Sequence, residues 1–190
     1  MNPFLIIFSI TFLLFSNIHY CSSETSSEKL DIVSDTCKRC ADGDPNVSFN
    51  LCNNSLSSVP KSHKSDLRGL ALISLKLSIK NATHVKSQVK KLLKATPAND
   101  TYMRSCLESC EELYSDAISA LRDSVKAIKA KRFDDAITYL SSVVDDPQTC
   151  EDGFSEGGIV SPLEKEDDNF FGLSAISLSI SSMLAKKILF

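Results

Sequence analysis

The sequence has no tryptophan and only three histidines, His19, His63 and His84. The missing indole argues against a carbohydrate-stacking cleft, and the few imidazoles leave little material for general acid–base catalysis. There is no Asp, Glu, Lys or Arg before Glu24. The run from Phe4 to Phe15 is largely apolar but falls short of the ~20 residues that cross a bilayer. A short apolar run at the start of a chain, followed by small residues at Cys21 and Ser23, predicts a secretory signal peptide over residues 1–23. It departs from the usual pattern in lacking a basic n-region. His19 and Cys21 would leave with it. Residues 24–190 then form one domain, long enough to bury a core. The net charge of -3 is too weak to point to a nucleic-acid partner. A second apolar stretch, Phe170 to Phe190, is interrupted by Ser174, Ser177, Ser179, Ser181 and Ser182 and reads as a core helix.

Neither enzyme chemistry nor a metal centre is favoured. His63 sits beside the polar run Lys61 to Ser65, and His84 follows closely on Asn81, so both read as solvated surface residues. The carboxylates Asp145-Asp146 and Glu164 to Asp168 flank helix-stop and helix-start signals, which suits capping better than a glycosidase pair. The stretch Gly153 to Gly158 lacks the Lys-Ser/Thr ending of a phosphate loop and reads as an interhelix loop. No cofactor is expected.

Six cysteines remain beyond the leader: Cys37, Cys40, Cys52, Cys106, Cys110 and Cys150. An even count in a secreted chain predicts disulfides, with fifteen pairings open. Zinc is the competing reading of Cys37-x2-Cys40 and Cys106-x3-Cys110, but an oxidising compartment favours bridges. Asn-X-Ser/Thr sequons at Asn46, Asn53, Asn81 and Asn99 predict glycosylated surface positions.

The rest is dominated by apolar residues every three or four positions, the mark of amphipathic helices. The first helix runs from about Ser65 to Ala95, with Leu67, Leu70, Ile73, Leu77, Val85, Val89 and Leu92 on one face and Pro97 after its end. The second runs from about Thr101 to Ala130 and carries a wide apolar arc, as in a bundle core. The third spans Phe133 to Asp145, with Pro147 as its stop. The fourth starts at a predicted capping box, Ser161-Pro162-Leu163-Glu164, and is lined by Phe170, Leu173, Ile176, Ile180 and Leu184. No alternating run supports a sheet. Four helices on short links predict an all-α, up-down-up-down four-helix bundle over 61–190. Residues 24–60 hold three cysteines and little periodicity, and are expected to form a small helical extension closed by a disulfide.

Several motifs together resemble one family. Near the start are Asp31-Ile32-Val33, Thr36-Cys37-Lys38, Pro45-Asn46-Val47 and Cys52 with Ser55-Leu56. Pro60-Lys61-Ser62-His63 leads to Asp66-Leu67 and Gly69-Leu70. Cys110 is followed by Leu113-Tyr114-Ser115-Asp116-Ala117. Then come Thr149-Cys150-Glu151-Asp152-Gly153-Phe154, Gly158-Ile159-Val160-Ser161-Pro162 and Ala175-Ile176-Ser177-Leu178. This set resembles the plant invertase and pectin methylesterase inhibitor family, above all its pollen-type members assigned to invertase. The resemblance implies a helical hairpin on a four-helix bundle, disulfides Cys37–Cys52 and Cys110–Cys150, and no catalysis. Cys40 and Cys106 fall outside the family's four-cysteine pattern, and a third bridge between them is an added expectation.

The resemblance also implies a secreted inhibitor in the apoplast or cell wall, with acid invertase as partner and pectin methylesterase as the alternative. Invertase inhibitors of the family carry Pro-Lys-Phe between the second and third bundle helices. Here Lys131, Arg132 and Phe133 stand there, so the cation and the aromatic remain while the proline is absent. A different class of partner is suggested by Lys76, Lys80, Lys86, Lys90 and Lys94 on the first bundle helix, whose spacing offers a basic face to an esterase rim or to pectate itself.

Overall fold

Asp31 opens the first helix by accepting a hydrogen bond from the Val33 amide at 3.2 Å. Among the described residues the chain then folds into helices, with no strand. A computed structural model describes residues 31–188. The expected signal peptide and Cys21 lie outside them. α1 (Ile32–Gly43) and α2 (Phe49–Ser57) form the hairpin, and a 3-10 turn (Ser62–Lys64) follows. α3 (Leu67–Ala95), α4 (Thr101–Lys129), α5 (Phe133–Glu156) and α6 (Glu164–Ile188) make the bundle. Each bundle helix packs on the next, and α6 closes the ring against α3.

Local chemistry explains the starts. Ser48, Asp66 and Asp100 each cap the helix they precede, accepting from Leu51, Gly69 and Met103 amides. The core runs through Leu70, Leu75, Val85 and Val89 of α3, Leu107, Tyr114 and Leu121 of α4, Leu140 of α5 and Phe170, Ile176 and Ile180 of α6. The Tyr114 and Phe170 rings meet at 5.1 Å, tilted by 49°, the offset geometry aromatic pairs favour.

Three of the serines that interrupt α6 face inward. Ser174, Ser177 and Ser181 are buried, and Ser174 and Ser181 return their hydroxyls to carbonyls of their own helix. Ser78 of α3 lies 3.1 Å from both the Leu173 carbonyl and the Ser177 hydroxyl. Small, self-satisfied side chains let α3 and α6 approach closely without orphaning polar atoms. Gly172 serves the same purpose against the hairpin, since a Cβ there would overlap Leu51 of α2.

Two disulfides are present. Cys37–Cys52 closes the hairpin and Cys110–Cys150 ties α4 to α5, with Cα atoms 5.6 and 5.0 Å apart. The third bridge expected between Cys40 and Cys106 is not formed; both are free and buried. Cys40 lies 3.6 Å from the Met183 sulfur near the end of α6, while the Cys106 thiol donates to the Gly153 carbonyl at 3.3 Å near the opposite end of the bundle. The length of α6 separates them.

Other expectations need correction. Pro147 does not end the third bundle helix, which continues to Glu156. A proline inside a helix costs ~3 kcal/mol. Here the loss is offset because Val143, Pro147, Cys150 and Phe154 recur at three- and four-residue steps on the buried face, and Cys150 is bonded to α4. Asp145 and Asp146 are therefore mid-helix, and Gly153 is helical rather than part of a loop. The capping box also fails: α6 starts at Glu164, and Ser161 instead accepts from the Leu163 amide at 3.0 Å while donating to Glu151 at 2.5 Å.

Candidate functional site

The link between α4 and α5 is a short, sharp turn. α4 ends at Lys129, and the Lys131 amide donates to the Ile128 carbonyl at 3.2 Å while the Arg132 amide reaches back to Ala127 at 2.9 Å. These two bonds form a Schellman motif, which needs a left-handed residue at its second-to-last position, usually glycine. Lys131 takes that place at φ 60°, the one non-glycine residue with positive φ among those described. A side chain in this region costs about 1–2 kcal/mol.

Arg132 then stands at the N-cap of α5, where it supplies no side-chain cap. Asp, Asn or Ser would be more stable there, and a cation is disfavoured by the helix dipole. Asp135 partly compensates, accepting from Arg132 Nη1 at 2.6 Å on the exposed surface. Phe133, 8% exposed, is rooted in the core. Two residues that oppose local stability thus precede a residue that anchors the link, an arrangement typical of functional sites.

The structure brings Lys131, Arg132 and Phe133 together at the mouth of a cleft of about 580 Å³, shared with Asp134, Asp135 and Lys186 of α6. The tip can offer an exposed guanidinium to a partner's carboxylates on a short, tightly bonded link. Lys186 adds a third cation that sequence spacing did not reveal, because it arrives from a helix more than fifty positions away.

The remaining expected residues are dispersed. Asn46 and Asn99 are exposed, Asn53 and Asn81 half-buried. His63 Nδ1 lies 2.9 Å from Asp31 Oδ2 at the hairpin, and His84 is exposed on α3.

One polar cluster escaped sequence reasoning. Asp167, 2% exposed, accepts a hydrogen bond from the buried Tyr114 hydroxyl on Oδ1, while its Oδ2 is buried with no partner among the described residues. The carboxyl oxygens of Asp167 and Glu151 lie within 4.8 Å of one another beside Cys150. Burial, then Glu151, pushes Asp167 up to about 8, and burial also raises Tyr114. Cys150 is spent in its disulfide, so the group is a poor metal site; a proton held between two carboxyls is the natural occupant.

Comparison with known proteins bears on most of the chain. Residues 31–180 match the family model described as plant invertase/pectin methylesterase inhibitor. A protein of Platanus acerifolia named "Putative invertase inhibitor" is 40% identical over 155 residues, covering 81% of this chain and 86% of that one. A pectinesterase inhibitor of Actinidia deliciosa is 31% identical over 136 residues, covering 70% and 72%. The crystal structure of a mutant pectin methylesterase inhibitor from Arabidopsis superposes with a TM-score of 0.66 at 20% identity, over 80% of this chain and 95% of that one.

Proposed function

This chain belongs to the plant invertase/pectin methylesterase inhibitor family, and from that premise we propose that it is a secreted protein inhibitor of acid invertase that acts through the α4–α5 tip. The observation that carries the reading is the tip itself, with exposed Arg132 held between strained Lys131 and rooted Phe133. Glycosidases present a pair of carboxylates across the sugar, and a guanidinium matches a carboxylate through two parallel hydrogen bonds. To engage such a group Arg132 would exchange Asp135 for it, one exposed ion pair traded for one shielded from water. Invertase is favoured over the esterase by the 40% identity to the Platanus protein.

Export is supported by the uncharged apolar start of the sequence and by the two disulfides. Among the described residues no helix is long and apolar enough to cross a membrane. Glycans are assigned first to the exposed Asn46 and Asn99. The chain acts as an inhibitor and carries out no catalysis of its own.

A second reading, pectin methylesterase inhibition, is supported by the Actinidia relative. It would use the helix faces rather than the tip. The test is to titrate the oxidised protein into acid invertase and into pectin methylesterase at mildly acidic pH. Loss of invertase activity, abolished by Arg132→Glu with the fold intact, is the expected result. Invertase inhibition untouched by Arg132→Glu removes the tip, and inhibition of the esterase alone moves the site to the helix faces.

A further inference from the structure

The exposed face of α3 carries a segregated positive charge that the tip does not use. Between Leu67 and Ala95 the helix contains Lys76, Lys80, Lys86, Lys90, Lys91 and Lys94 and no acidic residue. Steps of three and four put Lys76, Lys80, His84, Ser87, Lys91 and Lys94 in one stripe, and all six are exposed. At 1.5 Å per residue it is about 27 Å long. Lys90, beside it, pairs with Glu111 at 3.4 Å; among the described residues none of the stripe lysines has an ion-pair partner. The net charge of -3 conceals this, because acids such as Asp145, Asp146, Glu164 and Glu166 gather on α5 and α6.

Beside Lys80 and His84 lies a cleft of about 320 Å³, lined also by Ser55, Ser58, Asn81 and Asn169. Its walls combine these hydroxyls and amides with the side chains of Leu77 and Leu173, and the Oδ1 atom of Asn81 is buried with no partner among the described residues. A cationic track next to uncharged hydrogen-bonding groups fits a polymer that has both carboxylates and hydroxyls.

We propose that the α3 face binds a linear polyuronate, a polysaccharide with a carboxylate on successive sugars, its charges lying along the lysine stripe and one sugar's hydroxyls reaching the Asn81 cleft. The large apolar side chains exposed among the described residues, Phe49, Tyr102, Tyr139 and Val160, all lie off α3. The face therefore lacks what a helix needs to enter a lipid surface. It also has no Phe, Tyr or Trp, and the lone His84 ring gives no series of platforms on which successive bases of single-stranded nucleic acid could stack. The inference does not rest on inhibition of either enzyme.

The test is affinity electrophoresis and titration calorimetry with polygalacturonic acid, using the oxidised domain of residues 24–190 stripped of N-glycans. Binding is expected to weaken steeply with salt, since exposed charges are screened. It should be far weaker for fully methyl-esterified pectin, which keeps the sugars and loses the charges, and weaker for polyglutamate, which keeps the charges and loses the sugars. Replacing Lys80, Lys91 and Lys94 together by Gln should lower affinity by about tenfold or more, whereas Lys38→Gln with Lys126→Gln on other helices should leave it unchanged. Polygalacturonic acid should also protect Lys80, Lys91 and Lys94 of the unaltered protein from acetylation, a readout independent of the variants' folding. Equal binding to polyglutamate, or to phosphatidylserine vesicles, would overturn the assignment to a polyuronate. Full binding by the triple variant, or no protection of these lysines, would overturn the surface. Invertase inhibition by the triple variant is expected to be unchanged, so the two sites fail separately.

Discussion

The hydroxyl of Tyr114 on α4 donates to the carboxyl of Asp167 on α6, and neither side chain reaches solvent. The Asp167 carboxyl lies beside that of Glu151 of α5, whose own carboxylate accepts from Ser161 of the α5–α6 link at 2.5 Å. Three helices and a link thus meet on two carboxyls with room for one proton between them. The cluster sits beside the Cys110–Cys150 bridge, so it locks the start of α6 onto a cross-linked pair.

This cluster predicts a fold adapted to acid. Asp167 is pushed up to about 8 and Asp146 to about 6, in each case mainly by burial. The folded state therefore holds protons that the unfolded chain releases above pH ~4. Raised values contribute fully below the unfolded pKa, and that contribution is lost as pH climbs towards the folded values. Urea midpoints should fall from pH 5 to pH 8, by up to about 1.4 kcal/mol per pH unit for each proton involved. Asp167→Asn keeps an acceptor for Tyr114 and offers a donor to Glu151, so it should flatten the profile above pH 6. A midpoint that rises over this range, or an unchanged profile in Asp167→Asn, would contradict the shared proton.

At the tip, stability and function are expected to separate residue by residue. Lys131→Gly should raise stability by about 1 kcal/mol, because glycine removes the left-handed strain. Phe133→Ala should cost roughly 3 kcal/mol as a buried ring is lost. Arg132→Glu should change stability by less than about 1 kcal/mol, its ion pair being exposed. Thermal melts of the three variants beside invertase titrations distinguish the roles. A destabilised Arg132→Glu would show that the side chain is structural.

The two bridges should differ in worth. In the chain-entropy model a loop of 15 residues contributes about 3 kcal/mol and one of 40 about 4. Replacing Cys110 and Cys150 by Ser should lower the denaturation midpoint more than replacing Cys37 and Cys52. The extra loss comes from α5, which then bears Pro147 without a cross-link holding it to α4.

Cys40 and Cys106 should behave as silent thiols. Burial raises both above the ordinary range, leaving little thiolate to react. A maleimide should label neither quickly in native protein of residues 24–190, and both in denaturant. Mass spectrometry showing a Cys40–Cys106 bridge in the native protein would contradict the separation of the two thiols along the bundle.

Several features were readable from the chain alone. Periodicities in Leu67–Ala95 and Thr101–Lys129 set two helices to within a residue or two, because their apolar arcs are long and Pro97 stands between them. Spacing also put Lys131, Arg132 and Phe133 on one link, since neighbours in a short turn remain neighbours in space. It erred where a local signal met a tertiary one. Pro147 reads as a stop, yet burial of Phe154 and the bond at Cys150 carry α5 past it. Ser161-Pro162-Leu163-Glu164 reads as a capping box, yet Ser161 is drawn to Glu151 and the helix begins later.

Sequence by itself determined the class of fold, the apolar faces of the helices and the presence of a cationic link, because each follows from contacts between residues close along the chain; the basic face expected of Lys76, Lys80, Lys86, Lys90 and Lys94 is displaced, with Lys86 half-buried and Lys90 paired to Glu111. Only the tertiary structure decided that Lys186 joins the tip, that Cys40 and Cys106 lie too far apart to bond, and that Tyr114, Glu151 and Asp167 share one buried pocket. Those outcomes depend on how one helix is placed against another, which is set by side-chain packing across the core and not by any spacing along the chain.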